Sequence, residues 1–285
     1  MHGKLLARKY RIGKPLGKGG FGVTYRGMHV DTLQPVAIKV EHAAKTAKHS
    51  KYTPLEHEQN MYALLHPCPG LPAIEWQGMD NDEKSRVLVM ELLGGSLHAL
   101  PLPLSRSVML DCACQVLTLL QHCHTRGIVH RDIKPDNIMR GRDQHKGKLF
   151  LVDFGLAKQV CKADGKHVAL ARDKKLTGTA RYCSIFTHQG LSQSYRDDLE
   201  ALVYTLLYLV KGRLPWQGQS HHGDDKASKA EAYRAIGQAK AAQPPAVLCQ
   251  GEPELQWLLE LAQSLTYGQL PPYADIRARF EHARH

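Results

Sequence analysis

The run His130-Arg131-Asp132-Ile133-Lys134-Pro135-Asp136-Asn137, followed by Asp153-Phe154-Gly155, gathers groups with complementary acid–base and charge chemistry. Asp132 can accept a hydroxyl proton. Lys134, two residues on, can sit against oxygens that gain negative charge, and Asn137 with Asp153 offers hard oxygen ligands for Mg²⁺. Such a set suits transfer of a phosphoryl group to a hydroxyl. In the loose transition state of that reaction, positioning and electrostatics outweigh early deprotonation, so Asp132 needs no raised pKa.

Those groups need elements to hold a phosphate-bearing partner against them. Leu16-Gly17-Lys18-Gly19-Gly20-Phe21-Gly22-Val23 is a G-x-G-x-x-G run between two β-prone segments, and reads as the turn of a hairpin whose backbone N–H groups can close over phosphates. Alone it also fits a plain flexible turn. A dinucleotide fold would require a helix after it, and here a strand follows. Val36-Ala37-Ile38-Lys39 is that kind of strand, ending in a lysine able to reach α- and β-phosphates, or else in an edge lysine facing water. The segment Pro54–Leu65 has helical apolar spacing and carries Glu56 and Glu58, about 200° apart, so one of them can orient Lys39 while the other is solvated.

The chain has 285 residues, 43% hydrophobic, enough for two substantial lobes and no further domain. The expectation is an α+β chain with a small β-rich N-lobe over about residues 1–93 and a larger, mainly helical C-lobe over about 94–285, joined where Gly94 and Gly95 interrupt the pattern. Ser105–His124 reads as an amphipathic helix stopped by Gly127, and Leu199–Val210, apolar on nearly every side, as a core helix too short to cross a bilayer. Seven cysteines form no C-x-x-C pair and read as reduced thiols, with a cytoplasmic or nuclear location expected and no membrane contact. There is no internal repeat or low-complexity segment, and the chain is expected to be a monomer.

These motifs, in this order, resemble protein kinases. Gly178-Thr179-Ala180-Arg181-Tyr182-Cys183-Ser184-Ile185, Arg196-Asp197-Asp198-Leu199-Glu200-Ala201-Leu202, Leu214-Pro215-Trp216-Gln217-Gly218 and Met90-Glu91-Leu92-Leu93-Gly94 are similar to the casein kinase 1 family. That family also lacks the Ala-Pro-Glu tripeptide of most kinases, as this chain does. The resemblance implies a bilobal kinase fold and a Ser/Thr protein kinase using ATP and Mg²⁺. It selects Glu58 as the partner of Lys39, because Tyr62 fits the family's helix. It makes Met90 the gatekeeper, Glu91 to Leu93 the adenine-binding hinge, and Asp198 the residue that holds the His-Arg-Asp loop, with Asp197 merely solvated. Lysine at 134 implies serine or threonine as acceptor.

A net charge of +11 calls for acidic partners. Between Phe154 and Tyr182 seven basic residues stand against Asp164 and Asp173, a balance that fits an acidic or already phosphorylated protein substrate. The resemblance places anion-binding roles on Lys174 and Arg181, with the family's third basic position falling on Ala232 and Lys229 nearby. Thr177 and Thr179 are the stretch's hydroxyl-bearing residues before Tyr182, and neither matches an activating phosphosite, so activity without loop phosphorylation is expected. Departures from the family are Phe186, Ala201, Val203 and insertions over residues 43–52 and 220–225; none removes a catalytic group. Two other classes compete. An ATP-binding scaffold without transfer would typically have lost Lys39, Asp132, Asn137 or Asp153, and all four are present. A specific nucleic-acid binder has only the basic charge in its favour.

Overall fold

The computed structural model describes residues 2–19, 22–41, 53–80, 85–162, 164–218 and 226–284. Gly20, Phe21 and both insertions lie outside the described residues. The chain divides into two compact units, residues 1–95 with 139–155, and residues 96–138 with 156–285.

The first unit is built on an antiparallel sheet of β1 (Leu5–Leu6), β2 (Tyr10–Lys18), β3 (Val23–His29), β4 (Pro35–Glu41), β5 (Ile74–Asp80) and β6 (Ser85–Glu91), in the order β1-β2-β3-β4-β6-β5. The β2–β3 hairpin has Lys18 opposite Val23, so the glycine run is its turn. β4 lies inside the sheet, which excludes the edge-strand reading of Lys39. Its alternation decides the faces: Val36, Ile38 and Val40 enter a core with Ile12, Val87 and Val89, while Ala37 and Lys39 project to the other face, opposite Met90 and Leu88. The α-helix α1 (Pro54–Leu65) starts as its sequence requires, with Pro54 at the first turn and Thr53 accepting from the Glu56 N–H.

The sequence puts the end of this unit near Leu93, and the structure adds residues 139–155. A β8 (Ile138–Arg140) and β9 (Leu149–Leu151) hairpin is tied back by Gly94 N–H to Arg140 O, Arg140 N–H to Gly95 O and Leu151 N–H to Gly70 O. Long-range backbone bonds of this kind leave no periodic trace in a sequence.

The second unit is mainly helical: α2 (Arg106–Thr125), α3 (Ile185–His188), α4 (Tyr195–Lys211), α5 (Lys226–Ala241), α6 (Pro245–Leu248), α7 (Pro253–Ser264) and α8 (Tyr273–Arg284), with the short β7 (Ile128–Val129) paired to β10 (Lys158–Gln159). α4 is its centre. Leu199, Leu202, Val203 and Leu206 are fully buried, α2 and α7 pack on it, and Gly212 closes it with φ 76°. No helix among the described residues is long and apolar enough to cross a membrane, and all seven cysteines are free.

Candidate active site

In the first unit, Lys39 lies between two carboxylates. Its Nζ is 2.6 Å from Glu58 Oε2 and 3.0 Å from Asp153 Oδ1. Burial disfavours the charged lysine, but the two carboxylates more than offset this and raise its pKa. Glu58 is 2% exposed, and burial pushes it up to about 7 against the pull of Lys39, with Asp153 adding to the rise. The two carboxylates thus account for the rise of Lys39, and burial for the rise of Glu58. Glu56, the other candidate, instead bridges to Arg86 at 3.1 Å on the helix flank. Phe154 is buried with its ring 5.2 Å from that of Tyr62, which fixes the neighbouring Asp153. Asp153 itself has φ 67° and a side chain 46% exposed, so a carboxylate held by Lys39 is still reachable from solvent.

Of the remaining candidates in this unit, Leu16, Gly17, Lys18 and Gly19 are exposed on the hairpin, Gly22 and Val23 half-buried; Gly19 N–H donates to Gly22 O. Met90 is buried at the end of β6. Glu91 follows it, its side chain held by His145 at 2.7 Å, and Leu93 is buried just beyond.

In the second unit, Asp132 is 7% exposed and surrounded by donors. Oδ1 accepts from the Thr179 N–H at 2.9 Å and hydroxyl at 2.7 Å; Oδ2 accepts from Lys134 Nζ at 2.7 Å and Asn137 Nδ2 at 3.2 Å. Lys134 also donates to the Thr179 hydroxyl at 3.0 Å, so Asp132, Lys134 and Thr179 form a closed triangle. Sequence reasoning named the first two and passed over Thr179. The adjacent Gly178, φ 92°, would put a Cβ 2.3 Å from the Arg131 carbonyl, so only glycine lets Thr179 come this close to the catalytic loop. Asn137 donates its amide hydrogens to the Asp132 backbone and side chain, which leaves its oxygen as the metal-ligating atom.

The loop carrying Asp132 is suspended from α4. Asp198 accepts from the backbone N–H groups of His130 (2.7 Å) and Arg131 (2.8 Å) and from His124 Nε2 (3.0 Å). Burial opposes its ionisation, but these donors overcome it and hold the carboxyl below its usual pKa. Asp197 is not solvated as the sequence reading had it. It is 3% exposed, accepts from the Ser194 N–H at 2.7 Å and from the Ser184 hydroxyl, and burial pushes it up to about 7. Adjacent acids at a helix start look alike in sequence; here one caps α4 and the other holds the loop.

Lys174 is exposed and Arg181 half-buried over the Tyr182 ring. Lys158, one of the seven basic residues between Phe154 and Tyr182 but not given an anion-binding role from sequence, joins Lys174: burial, then the charges of Arg131 and Lys174, lower its pKa. Ala232 is buried and Lys229 exposed.

Chemically, Asn137 and Asp153 offer oxygen donors suited to Mg²⁺, and Lys39 offers a fixed cation for phosphate oxygens. Taken unit by unit, each donor is of a type that suits a nucleotide's phosphates or its metal. The protein kinase domain family model matches residues 10–264. With a sheet-based N-lobe carrying the Lys39 cluster and a helical C-lobe carrying the Asp132 loop, the chain belongs to the protein kinase domain family, whose members use ATP and Mg²⁺.

Proposed function

We propose that the protein is a Ser/Thr protein kinase of casein kinase 1 type, transferring the γ-phosphoryl group of ATP to hydroxyls in acidic or phosphorylated protein substrates. The observation that carries this reading is the Asp132–Lys134–Thr179 triangle. An ionised carboxylate has about four acceptor sites, and Asp132 already meets four donors, so an incoming hydroxyl must displace one of them. The Thr179 hydroxyl is the neutral, rotatable one. A serine or threonine hydroxyl in its place would donate to Asp132 Oδ1 and surrender its proton there as its oxygen bonds the γ-phosphorus and the bond from that phosphorus to the departing ADP breaks.

The other groups work by position. Lys134 stabilises oxygens that gain charge between donor and acceptor, and Lys39, oriented by Glu58, holds the phosphates of ATP. Asn137 and Asp153 are the residues that would hold Mg²⁺, which when bound would supply charge neutralisation on the phosphate oxygens. Thr179, one of the two hydroxyl-bearing residues of the loop before Tyr182, is itself bonded to Asp132 and Lys134, which supports activity without loop phosphorylation. The pressure of Arg131 and Lys174 on the half-buried Lys158 supports an anionic substrate, since a phosphate adds nearly two charges and would relieve it.

The test is transfer from labelled Mg·ATP to casein and to paired primed and unprimed serine peptides, using wild type, phosphatase-treated wild type and Asp132→Asn. Transfer by both wild-type samples, abolished in the variant, is expected. ATP binding without transfer would favour the scaffold reading, and equal turnover of the two peptides would remove the priming element.

A further inference from the structure

Beneath the segment that follows Thr179 lies a lysine that sequence reasoning did not single out. Lys240, in the last turns of α5, is 1% exposed. Its Nζ donates to Ala180 O at 2.8 Å and to Cys183 O, and lies 3.3 Å from His188 Nε2. An ammonium has three hydrogens; two meet the carbonyls, and the third meets His188 Nε2 in the tautomer that leaves this nitrogen unprotonated. The rings of Tyr204 and Trp216 lie 4.8 and 5.2 Å from the charge and complete its cage.

Other buried groups hold the same segment at further polar atoms. Trp216 Nε1 donates to Arg181 O at 2.8 Å, Asp197 accepts from the Ser184 hydroxyl, and Glu200 accepts from the Ile185 N–H at 2.8 Å. α5 can approach because of Gly237, where a Cβ would fall 2.7 Å from His188 Cβ. Gly237 and Lys240, three residues apart, therefore share the face turned to the segment.

We propose that Lys240 is a positioning residue for substrate: its three-way bond holds residues 180–183 in the shape that receives the peptide beside Thr179 and Asp132. The inference rests on the kinase reading above. A charge is buried here at a cost of desolvation, and carbonyl bonding is what offsets it.

The groups facing Lys240 are Cys183 and His188 from the segment and α3, and Glu200, Tyr204 and Trp216 from α4 and the loop after it. Burial holds His188 near 4, with Lys240 adding to the fall, and pushes the Cys183 thiol to about 11, so both stay neutral at working pH. Burial lowers Lys240 itself to about 8, Cys183 and Glu200 resisting. Above that pH the amine keeps two hydrogens for three acceptors, and the segment loosens. On the acid side the neighbouring groups whose pKa burial raises are Asp197 and Glu200, not Lys240.

Steady-state kinetics of wild type and Lys240→Met across pH 6 to about 9.5 test this, with hydrogen exchange of residues 180–185 alongside. Lys240→Met should lower peptide kcat/KM about tenfold, mainly through KM, leave the KM for ATP unchanged and speed exchange in the segment. The alkaline limb near pH 8 of wild-type kcat/KM should vanish in the variant. Should Lys240→Met not fold, Lys240→Gln, which keeps two N–H donors without charge, carries the same comparison. Unchanged peptide KM with the alkaline limb intact would overturn the inference while wild-type transfer upheld the kinase reading. No transfer by wild type would sink both.

Discussion

At the scale of single residues, two acids illustrate how one environment sets both charge and task. Glu58 is buried to the point that its ordinary value of 4.5 rises to about 7, yet its work is to hold Lys39 as a carboxylate. Because the folded value lies above the unfolded one, the native state takes up a proton as pH falls from about 7 towards 4.5. The stability this group contributes is therefore fully present below 4.5 and lost as pH rises through about 7, while its orienting role runs the other way. Expected in kcat/KM for ATP is an acid limb near pH 7 that disappears in Glu58→Gln, which should also be slower at every pH; chemical denaturation of the two proteins should show wild type gaining relative stability on acidification. A limb that survives the substitution would assign it to another group. Thr179 carries a second prediction. Thr179→Val removes the hydroxyl that orders Asp132 and Lys134 before substrate displaces it but keeps the shape, and should lower kcat several-fold, as the loss of one hydrogen bond worth about 1 kcal/mol implies, whereas Thr179→Ser should retain most activity. The motif spacing exposed Asp132 and Lys134 because their types announce their chemistry; a threonine 47 residues away announces nothing until Gly178 brings it to the loop.

Among the elements, the helix furthest along the chain bears on the catalytic loop. α8 begins at Tyr273, beyond the matched residues 10–264, and its first side chain is buried against α2. The Tyr273 hydroxyl lies 2.7 Å from His124 Nδ1, and His124 Nε2 lies 3.0 Å from Asp198, which holds the backbone of His130 and Arg131. An ionised Asp198 can only accept, so Nε2 must carry a proton, and a tyrosine donating to Nδ1 fixes that tautomer. Tyr273→Phe should then cost about 1 kcal/mol in unfolding free energy by denaturant titration and lower kcat several-fold with little change in either KM, because the loop is displaced and not the binding surfaces. Equal kcat in the variant would confine Tyr273 to packing. Periodicity revealed the buried stripes of α2 and α4, since apolar spacing is a local property. It could not reveal Tyr273, because a tyrosine at a core position looks the same whether its hydroxyl is solvated or aimed at a histidine 149 residues earlier. Asp197 was misread for the converse reason: an acid in a first helical turn is usually wet, and only the burial of Ser184 and Ser194 beside it shows that this one is not.

On the scale of the whole molecule, a net charge of +11 attracts any acidic chain, and this attraction must be separated from recognition at one place. Salt separates them. Exposed charges interact over a screening length of about 10 Å at 0.1 M and about 3 Å at 1 M ionic strength, so the diffuse attraction fades while a phosphate in direct contact with Lys158, Lys174 and Arg131 keeps most of its interaction. For an unprimed acidic peptide, kcat/KM should fall steeply with salt; for its primed twin the fall should be shallower, so the primed-to-unprimed ratio rises. Replacing Lys158 and Lys174 together by alanine removes two of the eleven excess charges and should change the salt slope of the unprimed peptide only slightly, yet bring the ratio close to one. If the double variant instead flattened both salt profiles and left the ratio intact, the basic residues would serve long-range capture, and selectivity would have to come from residues 180–185 and their buried supports. The composition showed the charge, but only the fold brings Arg131 and Lys174 close enough to Lys158 to lower its pKa beyond what burial does.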